Sequence, residues 1–248
     1  MKKIMLLPGW GMDAAVWFSI CEGLEGPLEF LFIDWQEICS AAEFKARAAR
    51  ELNAHKDQEV MIIGWSLGSL VAIELAAEYP CSVSRLILFG ATSKFTIEGD
   101  YTYGWDTRMV ERMRHRLIKD KEATLNDFYK RMFSLTEQQE QRHLTFSEEI
   151  VNKHFQNKDV PSLLHGLDYL IKIDNRSKLS MISTPLLLIH GEEDSICPPQ
   201  ASSYIAENHG GITKLALLSK VGHMPFYTKK AECLLLVNRF IQEGDLYD

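Results

Sequence analysis

The 248-residue sequence predicts an α/β fold: a mostly parallel sheet with helices on both faces and a helical segment inserted over the strand ends. Three observations predict it. Short continuous apolar runs such as residues 60–63 and 86–89 suit strands buried on both faces of a parallel sheet. Helical patterns alternate with these runs, as repeated strand–helix crossovers require. The alternation then stops between about residues 93 and 174, which are charged and helix-like and carry no convincing strand.

The elements follow in order. Residues 3–7 form a strand closed by the turn Pro8-Gly9-Trp10-Gly11. Residues 14–24 read as a short helix offering Trp17, Phe18 and Ile20 to the core. Residues 28–33 form a second strand, and 43–55 an amphipathic helix with Phe44, Ala48 and Leu52 at four-residue spacing. Strand 60–63 leads through Gly64-Trp65-Ser66-Leu67-Gly68 into a helix over 70–77 whose one polar residue is Glu74, with Pro80 as its stop. Strands follow at 86–89, 185–189 and 214–218, and a closing helix at 230–242. Residues 1–92 and 175–248 are thus expected to form the α/β core, and 93–174 a helical cap.

Composition narrows the function. An apolar fraction of 46% supports a substantial core. The net charge of −7 argues against general nucleic-acid binding and against an anionic membrane surface. No stretch approaches a membrane span, and the first apolar run stops at Pro8, too early for a signal-peptide core. The five cysteines are odd in number and scattered, with no metal-ligand spacing among Cys and His; they read as reduced thiols of a cytoplasmic protein.

Gly64-x-Ser66-x-Gly68 sits between a strand and a helix, where glycines permit a tight turn and the helix N-terminus faces the serine. The competing reading is an ordinary N-cap serine. A nucleophilic serine needs a base and a group to orient that base. In this strand order both follow it along the chain. Of eight histidines, His223 in Val221-Gly222-His223-Met224-Pro225 lies just beyond the last strand, whereas His190 closes a strand and is expected to bond locally. Asp194, after the strand ending at His190-Gly191, is the best-placed acid; the segment after residue 89 offers no carboxylate. The backbone N–H groups of Leu67 and Trp10 are the candidates for an oxyanion hole. The rings of Trp10 and Trp65 are expected to wall a pocket, with Phe128 from the cap. The chemistry requires no metal and no cofactor.

The cap carries its own charge. Between Arg108 and Arg131 stand eight Lys/Arg and four Asp/Glu, with apolar residues interleaved. This is either a solvated face over a buried seam or a docking patch for an acidic partner, with Arg108, Arg112, Arg114 and Arg116 as its candidates.

Together these residues resemble the α/β-hydrolase superfamily over nearly the whole chain: Pro-Gly-Trp-Gly, Gly-Trp-Ser-Leu-Gly, Gly-Glu-Glu-Asp-Ser-Ile-Cys-Pro and Gly-His-Met-Pro-Phe occur in order. Within it the chain is most similar to the pimeloyl-acyl-carrier-protein methyl ester carboxylesterases of biotin synthesis. That further likeness includes Gly166-Leu167-Asp168-Tyr169-Leu170 leading into Asp174-Asn175-Arg176. The resemblance implies a Ser66–Asp194–His223 triad, oxyanion donors at Trp10 and Leu67, and a cap presenting arginines to acyl carrier protein. Departures are Pro8 in place of a usual His, Ser69 in place of a second Gly, and no glycine-rich loop after Asp34. The alternatives are a broad small-ester carboxylesterase, a carbon–carbon hydrolase or lyase, or a ligand-binding protein on this fold. Leu70 stands where menaquinone-pathway relatives often carry Arg, and a dehalogenase would need Asp at position 66.

Overall fold

The computed structural model describes residues 1–154 and 159–242. The ends of the expected core and part of the expected cap, residues 243–248 and 155–158, lie outside the described residues. Among the described residues, six strands form one all-parallel sheet: β1 (Lys2–Leu7), β2 (Leu28–Phe32), β3 (Val60–Trp65), β4 (Val83–Phe89), β5 (Leu186–Gly191) and β6 (Thr213–Leu218). Their order is β2-β1-β3-β4-β5-β6. β3 and β5 are buried throughout and β1 nearly so, which explains their unbroken apolar runs. The edge strands β2 and β6 are only partly covered.

The helices are α1 (Ala15–Cys21), α2 (Glu43–Ala54), α3 (Leu67–Glu78), α4 (Thr107–Lys119), α5 (Lys121–Arg131), α6 (Leu135–Gln139), α7 (Arg142–Phe146), α8 (Asn152–His154), α9 (Val160–Lys172), α10 (Pro199–Asn208), α11 (Pro225–Thr228) and α12 (Lys230–Gln242). A π-helical turn, Ser147–Val151, joins α7 to α8, and a 3-10 turn, Arg176–Met181, follows α9. α2, α3 and α10 form one layer, and α1, α11 and α12 the other. None of the described helices is long and apolar enough to cross a membrane.

α3 is apolar nearly all round because it is covered on every side. Its buried Glu74 accepts from Tyr169 Oη at 2.6 Å and from Lys178 Nζ at 3.2 Å, so the polar exception is paired. Helices α4–α9 leave the sheet after β4 and return before β5. At their base, Lys94 and Asp174 form an antiparallel bridge, and Asn175 N–H donates to Ser93 O at 2.9 Å. The strand order reverses direction between β1 and β3. Parallel sheets open a crevice at such a point, at the strands' carboxyl ends. The turn after β1 and Ser66 after β3 lie there.

Candidate active site

Ser66 is the N-cap of α3 and holds φ 56° and ψ −116°, a conformation costly for any residue with a Cβ. Its neighbours explain how the turn closes. A Cβ on Gly68 would lie 2.0 Å from Leu7 O, and one on Gly64 would lie 2.8 Å from Gly68 O. Ser69, where a second glycine was the usual residue, fits by donating its hydroxyl to Ser66 O at 2.6 Å. The N–H of Leu67 heads α3, where helix N–H groups lack partners within the helix.

Asp194 and His223 are brought together without exposure to solvent. His223 Nδ1 lies 2.6 Å from Asp194 Oδ2, and both side chains are fully buried. Asp194 Oδ1 accepts from the backbone N–H of Ile196 at 2.8 Å and of Cys197 at 2.9 Å. Burial alone would raise the pKa of this carboxyl. The charges and hydrogen bonds of His223 and His190 outweigh burial and hold it well below the usual carboxylate range. His223 Nε2 is buried and has no hydrogen-bond partner among the described residues. The Ser66 hydroxyl lies against the Cys197 thiol, whose pKa burial pushes well up so that it stays protonated.

Two of the three expected pocket residues line the cavity at Ser66. This narrow cavity is bounded by Trp10, Ser66, Phe128 and apolar side chains that include Trp105, Leu167 and Ile196. Trp10 is held by its indole N–H, which donates to Leu163 O at 2.8 Å, and by an edge contact with Phe128 at 4.9 Å. Trp65 is a correction. It is not among the lining residues; its indole donates to His223 O at 2.8 Å and packs on Phe226, so it braces the histidine loop. The alternation of side chains along β3 puts Trp65 and Ser66 on opposite sides of the turn.

The alpha/beta hydrolase fold model matches residues 3–230. The chain belongs to the alpha/beta hydrolase fold family. Among curated relatives of this hydrolase-fold chain, the pimeloyl-[acyl-carrier protein] methyl ester esterase of Vibrio campbellii is 28% identical over 96% of this chain and 93% of its own. The Nitrosomonas europaea protein of the same name is 28% identical over 90% and 89%. An esterase from Exiguobacterium antarcticum superposes with a TM-score of 0.84 over 98% of this chain and 92% of its own, at 20% identity. A bromoperoxidase from Bacillus anthracis gives 0.86 over 97% and 92%, also at 20%. At that identity the structural likenesses speak for the hydrolase fold alone.

Over the hydrolase sheet, a second space of about 520 Å³ opens between α4 and α5. It shares Trp105, Met113 and Phe128 with the cavity at Ser66, and Arg112, Arg116, Arg131 and Asp127 stand around it. The four expected docking arginines therefore divide. Arg112 and Arg116 line this space. Arg114 turns to α9 and pairs with Asp168. Arg108 is exposed in the first turn of α4 and lies outside the lining. Arg131 joins the lining although sequence reasoning did not single it out.

The residue that sequence reasoning missed altogether is Glu137. Its Oε2 accepts from Ser134 N–H at 2.6 Å and from Gly222 N–H at 2.9 Å, one residue before His223. Ser134-x-x-Glu137 is a capping box, visible in the sequence. What the pattern did not reveal is that its carboxylate also holds the histidine loop.

Proposed function

We propose that this protein is a serine carboxylic-ester hydrolase acting through an acyl-serine intermediate, with residues 93–174 as a cap on a core of 1–92 and 175–248. The observation that carries the reading is the buried Asp194–His223 pair, whose imidazole keeps an unpartnered Nε2 beside the Ser66 turn. The Ser66 hydroxyl turns from Cys197 toward His223, gives its proton to Nε2, and Oγ attacks the ester carbonyl carbon. Asp194 stabilises the resulting imidazolium. The N–H groups of Trp10 and Leu67 receive the oxyanion, each worth roughly 10²–10³ in rate. Collapse breaks the bond to the alcohol, which leaves with the proton from His223. Water then attacks the acyl-serine, giving its proton to the same nitrogen, and His223 returns that proton to Ser66 Oγ as the bond to the serine breaks and the acid departs.

For the substrate we favour the methyl ester of a medium-length acyl group carried by acyl carrier protein. Three features support it. The curated relatives bear that activity in their names. The cavity at Ser66 is walled mainly by apolar side chains suited to an acyl chain. The space that adjoins it carries Arg112, Arg116 and Arg131, the chemistry that meets an acidic carrier or a phosphate. The five free thiols favour a reducing compartment, and we place the protein in the cytoplasm.

A second reading, a broad esterase of small soluble esters, is favoured by one observation: Arg116 is already paired with Asp127. Incubating the protein with pimeloyl-carrier-protein methyl ester and with a small methyl ester, each followed by mass, separates the two. Preferential loss of 14 mass units (about one CH₂) from the carrier-linked ester supports the first reading. Cleavage of the small ester alone overturns it.

A further inference from the structure

A second imidazole reaches the carboxylate that orients His223. His190 is the last residue but one of β5 and is fully buried. Its Nε2 lies 3.1 Å from Asp194 Oδ2 and 2.8 Å from Cys197 O. Its Nδ1 lies 2.6 Å from Ser202 Oγ, and that hydroxyl reaches Ala91 O at 3.3 Å.

These contacts decide where the proton sits. Nε2 faces a carboxylate oxygen and a carbonyl oxygen, both of which only accept. A lone pair there would oppose both in a fully buried site, so Nε2 carries hydrogen. Nδ1 faces a hydroxyl, which can donate or accept, so that side is satisfied in either charge state. Asp194 accepts two backbone N–H groups on Oδ1 and faces His223 on Oδ2, and the His190 Nε2–H, shared with Cys197 O, lies 3.1 Å from the same Oδ2. A carboxylate so surrounded is held in one orientation.

We propose that His190 is a positioning residue for the ester hydrolysis set out above, its Nε2–H locking the Asp194 carboxylate toward His223 and drawing part of the carboxylate charge away from it. The inference rests on the Ser66–His223–Asp194 reading. Asp194 and, through it, His223 are its ionisable partners. The Cys197 thiol and the Tyr101 hydroxyl come next; burial pushes the first well up and the second to about 12, so both are neutral at working pH. On the surrounding elements, β6 presents Leu217 in register and α10 presents Ser202, while the carboxylates of Glu192 and Glu193 are exposed in the turn that follows β5.

Without His190 the whole Asp194 charge would act on His223, so the imidazolium would form more readily. The test is the pH profile of kcat/KM on p-nitrophenyl butyrate for the wild type, His190→Met, His190→Gln and Ser66→Ala. His190→Met keeps bulk without the donor. We expect its acidic limb to move up by about one pH unit and its plateau to fall roughly ten-fold. His190→Gln, whose amide can donate from the Nε2 position, returns both toward the wild type. A merely structural role would lower stability and leave the limb in place. Nitrogen-15 spectra of the wild type's histidines give a reading that no variant's folding can spoil: the proton is expected on His190 Nε2 from acid to alkaline pH. An unmoved limb in a folded His190→Met, or a proton residing on Nδ1 alone, overturns the proposal. Activity persisting in Ser66→Ala would instead overturn the hydrolase reading beneath it.

Discussion

The backbone N–H of His223 donates to the carbonyl of Met132 at 2.6 Å, so the loop bearing the imidazole is fastened to the segment after α5 as well as to the strand it follows. Two further bonds run alongside: Gly222 N–H to Glu137, and Ser134 Oγ to Lys220 O at 2.9 Å. The loop carrying Asp194 is tied to the same segment, since Ser195 Oγ donates to Arg131 O at 3.0 Å. The loops carrying Asp194 and His223 are thus both hydrogen-bonded to the stretch from Arg131 to Glu137.

Glu137 therefore acts at a distance from Ser66. Glu137→Ala strips the buried N–H groups of Ser134 and Gly222 of their acceptor and is expected to cost about 2–4 kcal/mol, a fall in melting temperature of roughly 5–15 °C. Glu137→Gln keeps an acceptor oxygen and should cost far less. Thermal unfolding of both variants checks the stability difference. Ester turnover below the melting range should fall in Glu137→Ala as the histidine loop loosens.

The Ser66 turn stores strain. Glycine tolerates φ 56° and ψ −116° where serine does not, so Ser66→Gly should be inactive yet more stable by about 1–2 kcal/mol. Gly68→Ala should go the other way, because the added Cβ would meet Leu7 O and force β1 from α3. Denaturant titration of the two variants shows opposite shifts of the midpoint if the turn is strained as described.

Arg112 and Arg131 face the outer space, whereas Arg114 is engaged with Asp168. Charge reversal of the first two should raise KM for a carrier-linked ester at least ten-fold more than for p-nitrophenyl butyrate, with the difference shrinking as salt rises. Steady-state kinetics at two ionic strengths measures this ratio. Equal effects on both substrates would make this a solvated face.

Much of this was legible in the sequence, for physical reasons. Inner strands of a parallel sheet must be apolar on both faces, so β1, β3, β4 and β5 announced themselves as continuous runs. The Ser66 turn was legible because only glycine fits at 64 and 68. Asp194 and His223 could be picked by their positions after β5 and β6, and the structure seats them in hydrogen-bond contact. α10 was passed over because its apolar positions are few, with Ala201, Ser202 and Ile205 its buried residues. Trp65 was misread as a pocket wall, since one residue's shift along a strand end reverses the side a ring faces. The link between His190 and Asp194 was hidden for another reason. It depends on how the turn over residues 191–194 folds back, which composition does not encode.

Asp174 at the base of α4–α9 gives a pH-dependent prediction. Hydrogen bonds from Arg176 outweigh partial burial and, with Lys94 beside it, bring its carboxyl down to about 2. A carboxyl depressed on folding stabilises the fold above its unfolded value, and that contribution fades as pH falls from about 4 toward 2. Asp174→Asn should thus lose about 1–2 kcal/mol at neutral pH, allowing for partial exposure, and should converge with the wild type near pH 2. Melting curves across that range check the convergence.

The central claim is that Ser66 is the nucleophile activated by His223. A fluorophosphonate, which phosphonylates activated serines by displacing fluoride, tests it most directly when the product is mapped by peptide mass. The account predicts one adduct, on Ser66, absent in Ser66→Ala and formed far more slowly in His223→Ala. Labelling at another residue, or undiminished labelling of Ser66 in His223→Ala, would contradict it.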